Sequence, residues 1–411
     1  MQFKDLQLNK PILRAIAEKN YETPTLIQEE TIPLILDKKD IIASAHTGTG
    51  KTAAFALPIL QLLFDKQDAP KKGKKIKALI VSPTRELALQ IDESFKSYGK
   101  YTNLRSAVVY GGISIEPQVD VLKKGVDILV ATPGRLLDLI KQNIINLIHV
   151  EILVLDEADL MLDMGFIEDV LKIERSCAKN KQSLLFSATI PFKVEQLAKT
   201  ILKAPKRIDV TTSSLVTKSV HQILYYVPKP KKIELCLHLL RNNIKGSIII
   251  FRRTKFGVDK LEKALLKNNY KVNSIHGDKS QSIRQEALKN FKKREINILI
   301  ATDVAARGID IKNVDAVINF DLPNLPEIYV HRIGRTGRAG KEGISYSFCS
   351  ADERNYVQNI EKLIHENIFV EEDHPYPLDP KAKPEVHKKK GSKYKKGRKS
   401  EASKKKKKRW Y

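Results

Sequence analysis

The stretch IIASAHTGTGKTAAF (Ile41–Phe55) decides the fold. An apolar run stops at a Gly-rich turn, and a helical pattern begins directly behind it. Backbone N–H groups in such a loop, backed by a helix N-terminus, suit a chain of phosphates. Lys51 can reach the β- and γ-phosphates, and Thr52 can help to hold Mg2+. The strict pattern, GxxxxGK followed by Ser or Thr, has glycine first, where this chain has Ala45. A plain strand–turn–helix junction is the alternative that this stretch alone leaves open.

Working outward, the same unit recurs. DIIASA (Asp40–Ala45), ALIVSPT (Ala78–Thr84), SAVVYGG (Ser106–Gly112), DILVATPG (Asp127–Gly134), EILVLDEAD (Glu151–Asp159) and SLLFSAT (Ser183–Thr189) fill the first half. SIIIF (Ser247–Phe251), KVNSIHG (Lys271–Gly277), INILIATD (Ile296–Asp303), AVINFDLP (Ala316–Pro323) and ISYSFCS (Ile344–Ser350) fill the second. Residues apolar at successive positions predict strands buried on both faces, and their alternation with helices predicts parallel sheets. These are too many strands for one comfortable sheet. The expectation is therefore an α/β chain with two domains, 1–205 and 220–370, joined by a polar linker at 206–219. After 371 the periodicity stops, and a basic low-complexity tail, 371–411, is expected to be disordered.

Composition agrees with a globular body and an acidic polymer as partner. The chain has 411 residues, 42% hydrophobic, with 73 Lys/Arg against 48 Asp/Glu and a net charge of +25. Lys381–Tyr411 holds +14 of this, so the body is basic in its own right. The three cysteines, Cys177, Cys236 and Cys349, lie far apart with no metal-ligand spacing, so buried thiols are expected rather than disulfides or zinc. MQFKDLQLNK has no signal-peptide pattern, and the longest apolar stretch is too short to span a bilayer. The expectation is a cytoplasmic protein with no membrane association.

The run VLDEAD (Val154–Asp159) supplies what the phosphate loop lacks. A carboxylate at the end of a neighbouring strand, Asp156, suits Mg2+, and Glu157 beside it suits orientation and deprotonation of an attacking water. A lone acidic pair after a strand also reads as a helix N-cap. The loop around Lys51 favours the hydrolytic reading.

With these motifs in order, the chain resembles the DEAD-box ATP-dependent RNA helicases of superfamily 2, most closely the bacterial RhlE-type subgroup. The resemblance runs from Met1 to about Ile368. It implies two tandem RecA-like domains, each a mostly parallel sheet flanked by helices, with ATP and Mg2+ as cofactors and RNA as partner of a monomer. YETPTLIQ (Tyr21–Gln28) resembles the Q motif: Gln28 would read the adenine edge, Tyr21 would pack on the ring, and Phe3 would be the upstream aromatic. Ala45, His46, Thr47, Gly48, Thr49, Gly50, Lys51 and Thr52 would hold the phosphates. Pro83, Thr84 and Arg85, then Gly111 and Gly112, then Thr132, Pro133, Gly134 and Arg135 would touch the RNA backbone. Ser187 and Thr189 would bond Asp159 and, with His331, couple nucleotide state to strand separation. In the second half Gln281, Arg284 and Thr302 would contact RNA, Gly308 the γ-phosphate and Asp310 the ribose. Arg335 and Arg338 would be arginine fingers. IIIFRRT (Ile248–Thr254) matches motif IV only loosely at Arg252 and Arg253. The implied activity is RNA-stimulated ATP hydrolysis coupled to local duplex unwinding, in ribosome assembly or RNA turnover, with the basic tail as an additional RNA tether. An ATP-gated RNA clamp with little unwinding uses the same motifs and stays open.

Overall fold

The computed structural model describes residues 1–45, 49–66, 75–210, 219–306, 311, 314–337, 342–379 and 382. His46, Thr47, Gly48, Gly308, Asp310, Arg338, most of the expected linker and, in the basic tail, residues 380, 381 and 383–411 lie outside the described residues.

The first half forms β1 (Ile41–Ala45), β2 (Ala78–Val81), β3 (Ser106–Val109), β4 (Ile128–Ala131), β5 (Ile152–Leu155), β6 (Gln182–Ser187) and β7 (Lys206–Val210). The second forms β8 (Val220–Tyr226), β9 (Ile248–Arg252), β10 (Val272–Ile275), β11 (Ile298–Thr302), β12 (Ala316–Asn319), β13 (Gly343–Cys349) and β14 (Phe369–Val370). One sheet runs β3-β4-β2-β5-β6-β1-β7 and the other β10-β11-β9-β12-β13-β8-β14. All neighbouring strands among the described residues pair in parallel, and the second order repeats the first strand for strand. This is the tandem RecA-like fold, and the repetition lies in topology, with no matching repeat in the sequence.

Successive strand residues feed opposite faces, which explains the unbroken apolar runs. Ile41, Ala43, Ile80 and Val154 join one core with the helix Lys51–Phe64, while Ile42, Leu79, Val81 and Leu155 join another. The second sheet divides likewise, with Ile248 and Ile250 on one face and Ile249 and Phe251 on the other. Each such Ile, Leu, Val or Phe side chain contributes roughly 1.5–3 kcal/mol by leaving water. The four buried residues of β5 therefore anchor the acidic turn that follows.

Two expected boundaries are corrected. Lys206–Val210, placed in the linker, is an edge strand bonded in register to β1. Its alternating exposure reflects a strand with only one covered face. The stretch after 371, expected to be disordered from its start, instead follows β8 as far as Asp379. Glu371 N–H donates to the Leu224 carbonyl and Leu378 N–H to that of Tyr226 (both 2.9 Å), while Tyr376 packs on the core. No helix among the described residues is long and apolar enough to cross a membrane. All three cysteines are buried and free.

Candidate active site

In parallel α/β sheets the loops that leave the carboxyl ends of the strands converge on one pole, where ligands bind. Here β1, β6, β5 and β2 are neighbours, so their exits stand side by side. They carry the phosphate loop, Ser187–Thr189, Asp156–Asp159 and Pro83–Arg85 in that order.

The helix from Lys51 starts behind Gly50, whose φ of 95° lies in the left-handed region. A Cβ there would stand 2.4 Å from Gln28 Nε2, so only glycine fits. Gln28 braces this turn: its Nε2 donates to the Gly50 carbonyl (3.1 Å), and its Oε1 accepts from Thr25 N–H (2.9 Å). Thr25 Oγ1 donates to the Thr49 carbonyl (2.7 Å). One amide hydrogen and one lone pair of Gln28 stay available for a base edge. Tyr21 is half-exposed and stacks at 6.4 Å on Phe3, which is itself buried beneath it.

Lys51 reaches across to Glu157 at 2.8 Å, both nearly buried. Burial works against the ammonium, but Glu157 and Asp156 outweigh it and hold the Lys51 pKa above its usual value. Asp156 continues the ladder, its N–H donating to the Val81 carbonyl (3.0 Å). Burial above all, with the charges of Glu157 and Asp159, pushes its carboxyl up to about 7 against the pull of Lys51. Its Oδ1 is buried with no hydrogen-bond partner among the described residues. Glu157 adopts φ 54°, ψ 55°. For a non-glycine residue that backbone costs roughly 1–2 kcal/mol.

Asp159 turns the other way. Thr189 donates to its Oδ2 through both N–H and Oγ1 (3.0 Å each), and Asp159 N–H donates to Ser187 Oγ (3.1 Å). Burial opposes its ionisation, but His331, Lys51 and these bonds prevail and keep its carboxyl below the ordinary range. His331 and Arg335 come from the second domain. With Glu157, Asp159 and Thr189 they border one cavity of about 590 Å3 between the two sheets.

The residues expected to meet RNA have local structural tasks as well. Thr84 Oγ1 caps the helix Arg85–Tyr98, and buried Pro83 precedes it. Thr132 precedes the helix Pro133–Lys141 as its N-cap. Arg85 lies against Gly112, where any Cβ would stand 2.2 Å from its guanidinium. Arg135 Nη2 donates to the Ile113 carbonyl (2.8 Å). Gly111 and Gly134 face open space. Thr302 stands opposite Arg252 in register at the ends of β11 and β9. Gln281 and Arg284 cross to the first domain, where both meet Glu86, Arg284 at 2.8 Å and Gln281 at 3.2 Å.

Glu86 carries no expected role in the sequence, although a charged residue directly after Arg85 in Pro83–Ala88 is a visible signal. Arg332, likewise given no role by the sequence, is buried and forked onto Asp303 (2.6 and 2.8 Å). Motif IV, left without a role, is an ion-pair network: Arg252 pairs with Asp321 (2.9 Å), and Arg253 with Glu353 (2.9 Å), which also binds Lys232. Among the described residues no three His, Cys, Asp or Glu side chains converge as a metal cage.

Known proteins resemble this chain along most of its length. Residues 25–197 match the DEAD/DEAH box helicase family and residues 231–340 the helicase conserved C-terminal domain. The chain is 44% identical over 363 residues to the ATP-dependent RNA helicase CshA of Limosilactobacillus reuteri, covering 88% of this chain and 72% of that one. It is 41% identical over 366 residues to the DEAD-box ATP-dependent RNA helicase RhpA of Helicobacter pylori, covering 89% and 73%. Among solved structures, S. cerevisiae Dbp5 bound to RNA and ADP BeF3 superposes with a TM-score of 0.79 at 31% identity, covering 90% of this chain and 95% of that one. Mss116p bound to ssRNA and AMP-PNP gives 0.81 at 32%, covering 91% and 80%. The chain belongs to the DEAD-box family of ATP-dependent RNA helicases.

Proposed function

We propose that the cavity between the two sheets is the hydrolytic site and that RNA binding completes it. The observation that carries this reading is the shared wall, to which Glu157, Asp159 and Thr189 contribute from one domain and His331 and Arg335 from the other. Lys51 takes the β/γ-phosphates, which frees Glu157 from its present ion pair to orient and deprotonate the attacking water. Arg335 stabilises the charge that develops on the transferred phosphoryl group, with Arg338 beside it by family resemblance. Gln28 reads adenine with its remaining donor and acceptor while it braces the loop, so base recognition and phosphate geometry are linked through one side chain.

The donors present fit Mg2+. Asp156 offers a buried, unpartnered oxygen in a site with more carboxylates than cations, and Mg2+ commonly needs only one or two carboxylates beside phosphates and water. Asp156 and Thr52 would hold it, and when bound it would neutralise phosphate charge. The contact of Gln281 and Arg284 with Glu86 ties domain approach to the RNA face. Pro83–Arg85, Gly111–Gly112, Thr132–Arg135, Gln281, Arg284 and Thr302 follow the RNA backbone. The tail from Lys381 tethers RNA without reading its sequence. The RhlE-type assignment rests on the resemblance of the minimal core and short tail, whereas similar bacterial relatives carry the names CshA and RhpA. Work in ribosome assembly or RNA turnover follows from the resemblance alone.

Glu157→Gln tests the site. It should bind ATP and RNA at near wild-type affinity, while single-turnover hydrolysis falls roughly a hundred- to ten-thousandfold. Wild-type turnover in this variant would remove Glu157 as the base.

A further inference from the structure

A second basic feature lies at the opposite pole of the first domain, where β1, β5, β6 and β7 begin. There a cavity of about 760 Å3 is bordered by Lys38, Lys39, Lys66, Lys181, Lys203 and Lys206. Only two acids share the wall, and both are engaged. Asp40 accepts from Ser183 N–H (2.9 Å) and Lys203 N–H (2.7 Å), and Glu151 pairs with Lys66. Lys181 is answered by Glu174 (2.7 Å). Among the described residues Lys38, Lys39, Lys203 and Lys206 make no ion pair, and all four are exposed; Lys203 Nζ donates only to the Lys179 carbonyl (3.0 Å).

Helix ends explain part of this. The helices Leu26–Leu36, Lys51–Phe64, Ile167–Ser176 and Phe192–Ile201 all finish near this pole, and their negative ends favour nearby cations. That accounts for single lysines. It does not account for six arranged around one open volume, four of them without a counter-charge while the acids are held by backbone and side-chain donors. Lysine ammoniums are point charges without the planar fork that reads bases, which suits phosphates of any sequence.

We propose that this lysine-lined cavity is a second RNA-backbone site, which holds a flank of a long RNA whose other part occupies the cleft between the domains. It rests on RNA engagement at that cleft. The site lies one sheet length from the cleft-facing pole, about 17 Å along the five-residue β1. A short RNA whose nucleotides are all held in the cleft has none left to cover that distance, so affinity should depend on length.

The test uses the full chain carrying Lys38→Glu, Lys39→Glu and Lys206→Glu. A charge-matched control carries Lys260→Glu, Lys263→Glu and Lys267→Glu on the exposed side of a second-domain helix. Fluorescent single strands of about 8 and about 30 nucleotides, lengths chosen to fill the cleft alone or to extend beyond it, are titrated across salt concentrations. The cavity variant should lose roughly tenfold or more in affinity for the long strand only, and its salt slope should shallow by about 2, near 0.7 per phosphate contact. RNA-stimulated kcat at saturating RNA should be unchanged. Equal losses on both strands, equal losses in the control, or unchanged long-strand affinity would each overturn the proposal. A chain whose ATPase ignores RNA altogether would instead defeat the cleft reading on which it rests.

Discussion

Asp156→Asn should change stability in a way that depends on pH. The carboxyl has an ordinary value of 3.8 and is pushed up to about 7 in the folded chain, first by burial and then by Glu157 and Asp159. A raised carboxyl favours the folded state while the proton stays on, and that advantage is lost as pH rises from the unfolded value to the folded one. Near pH 5 the folded chain keeps a proton that the unfolded chain has largely released. Near pH 8 both are ionised, and the folded chain holds an unfavourable buried charge. Converting at 1.36 kcal/mol per pH unit, wild-type stability should fall by on the order of 2–3 kcal/mol over that range through this group alone. Asparagine has no such titration, so the variant's stability relative to wild type should rise by the same amount. Urea unfolding followed by circular dichroism at both pH values gives this double difference and cancels groups common to both proteins. Mg2+ with a non-hydrolysable ATP analogue should reverse the order at the higher pH by stabilising wild type alone. A gap that does not change with pH would refute the claim that Asp156 is strained by its burial.

Two other outcomes test how the domains and the tail are used. Glu86→Ala removes the acceptor shared by Arg284 and Gln281. The ATP-dependent gain in RNA affinity should drop roughly thirtyfold or more, because losing one partner of a desolvated charge pair costs about 2–5 kcal/mol, while affinity with ADP stays unchanged. Equal losses in both nucleotide states would place Glu86 outside domain closure. Deletion of Lys381–Tyr411 should weaken RNA binding and flatten its salt dependence, as read by titration at several salt concentrations. Unchanged binding would remove the tether.

The parts of this molecule that local pattern encodes were legible in its sequence. Eleven apolar runs named strands that exist, because a strand covered on both faces must be apolar at every position. β7, β8 and β14 escaped for the complementary reason. They lie at or beside a sheet edge, β7 alternates KRIDV, and β14 has two residues. The placement of Lys51, Asp156 and Asp159 just beyond strand ends was readable because a Gly-rich turn and an acidic strand end are short local patterns. Arg332 with Asp303, Arg252 with Asp321, and Glu86 with Arg284 were not, since each pair joins residues 29 to 198 positions apart whose meeting depends on the assembled fold. The engagement of Gln28 with Gly50 has the same origin: its amide spans two elements that only tertiary packing brings together.

The proposed site makes hydrolysis depend on a second-domain cation brought to a first-domain base. Single-turnover ATP hydrolysis by the full chain and by Arg335→Ala, each with and without saturating RNA, tests it most directly. RNA should accelerate the chemical step in wild type, and the variant should bind ATP normally yet lose roughly a thousandfold of the RNA-stimulated rate. An Arg335→Ala chain that hydrolyses ATP at the stimulated wild-type rate would contradict the account.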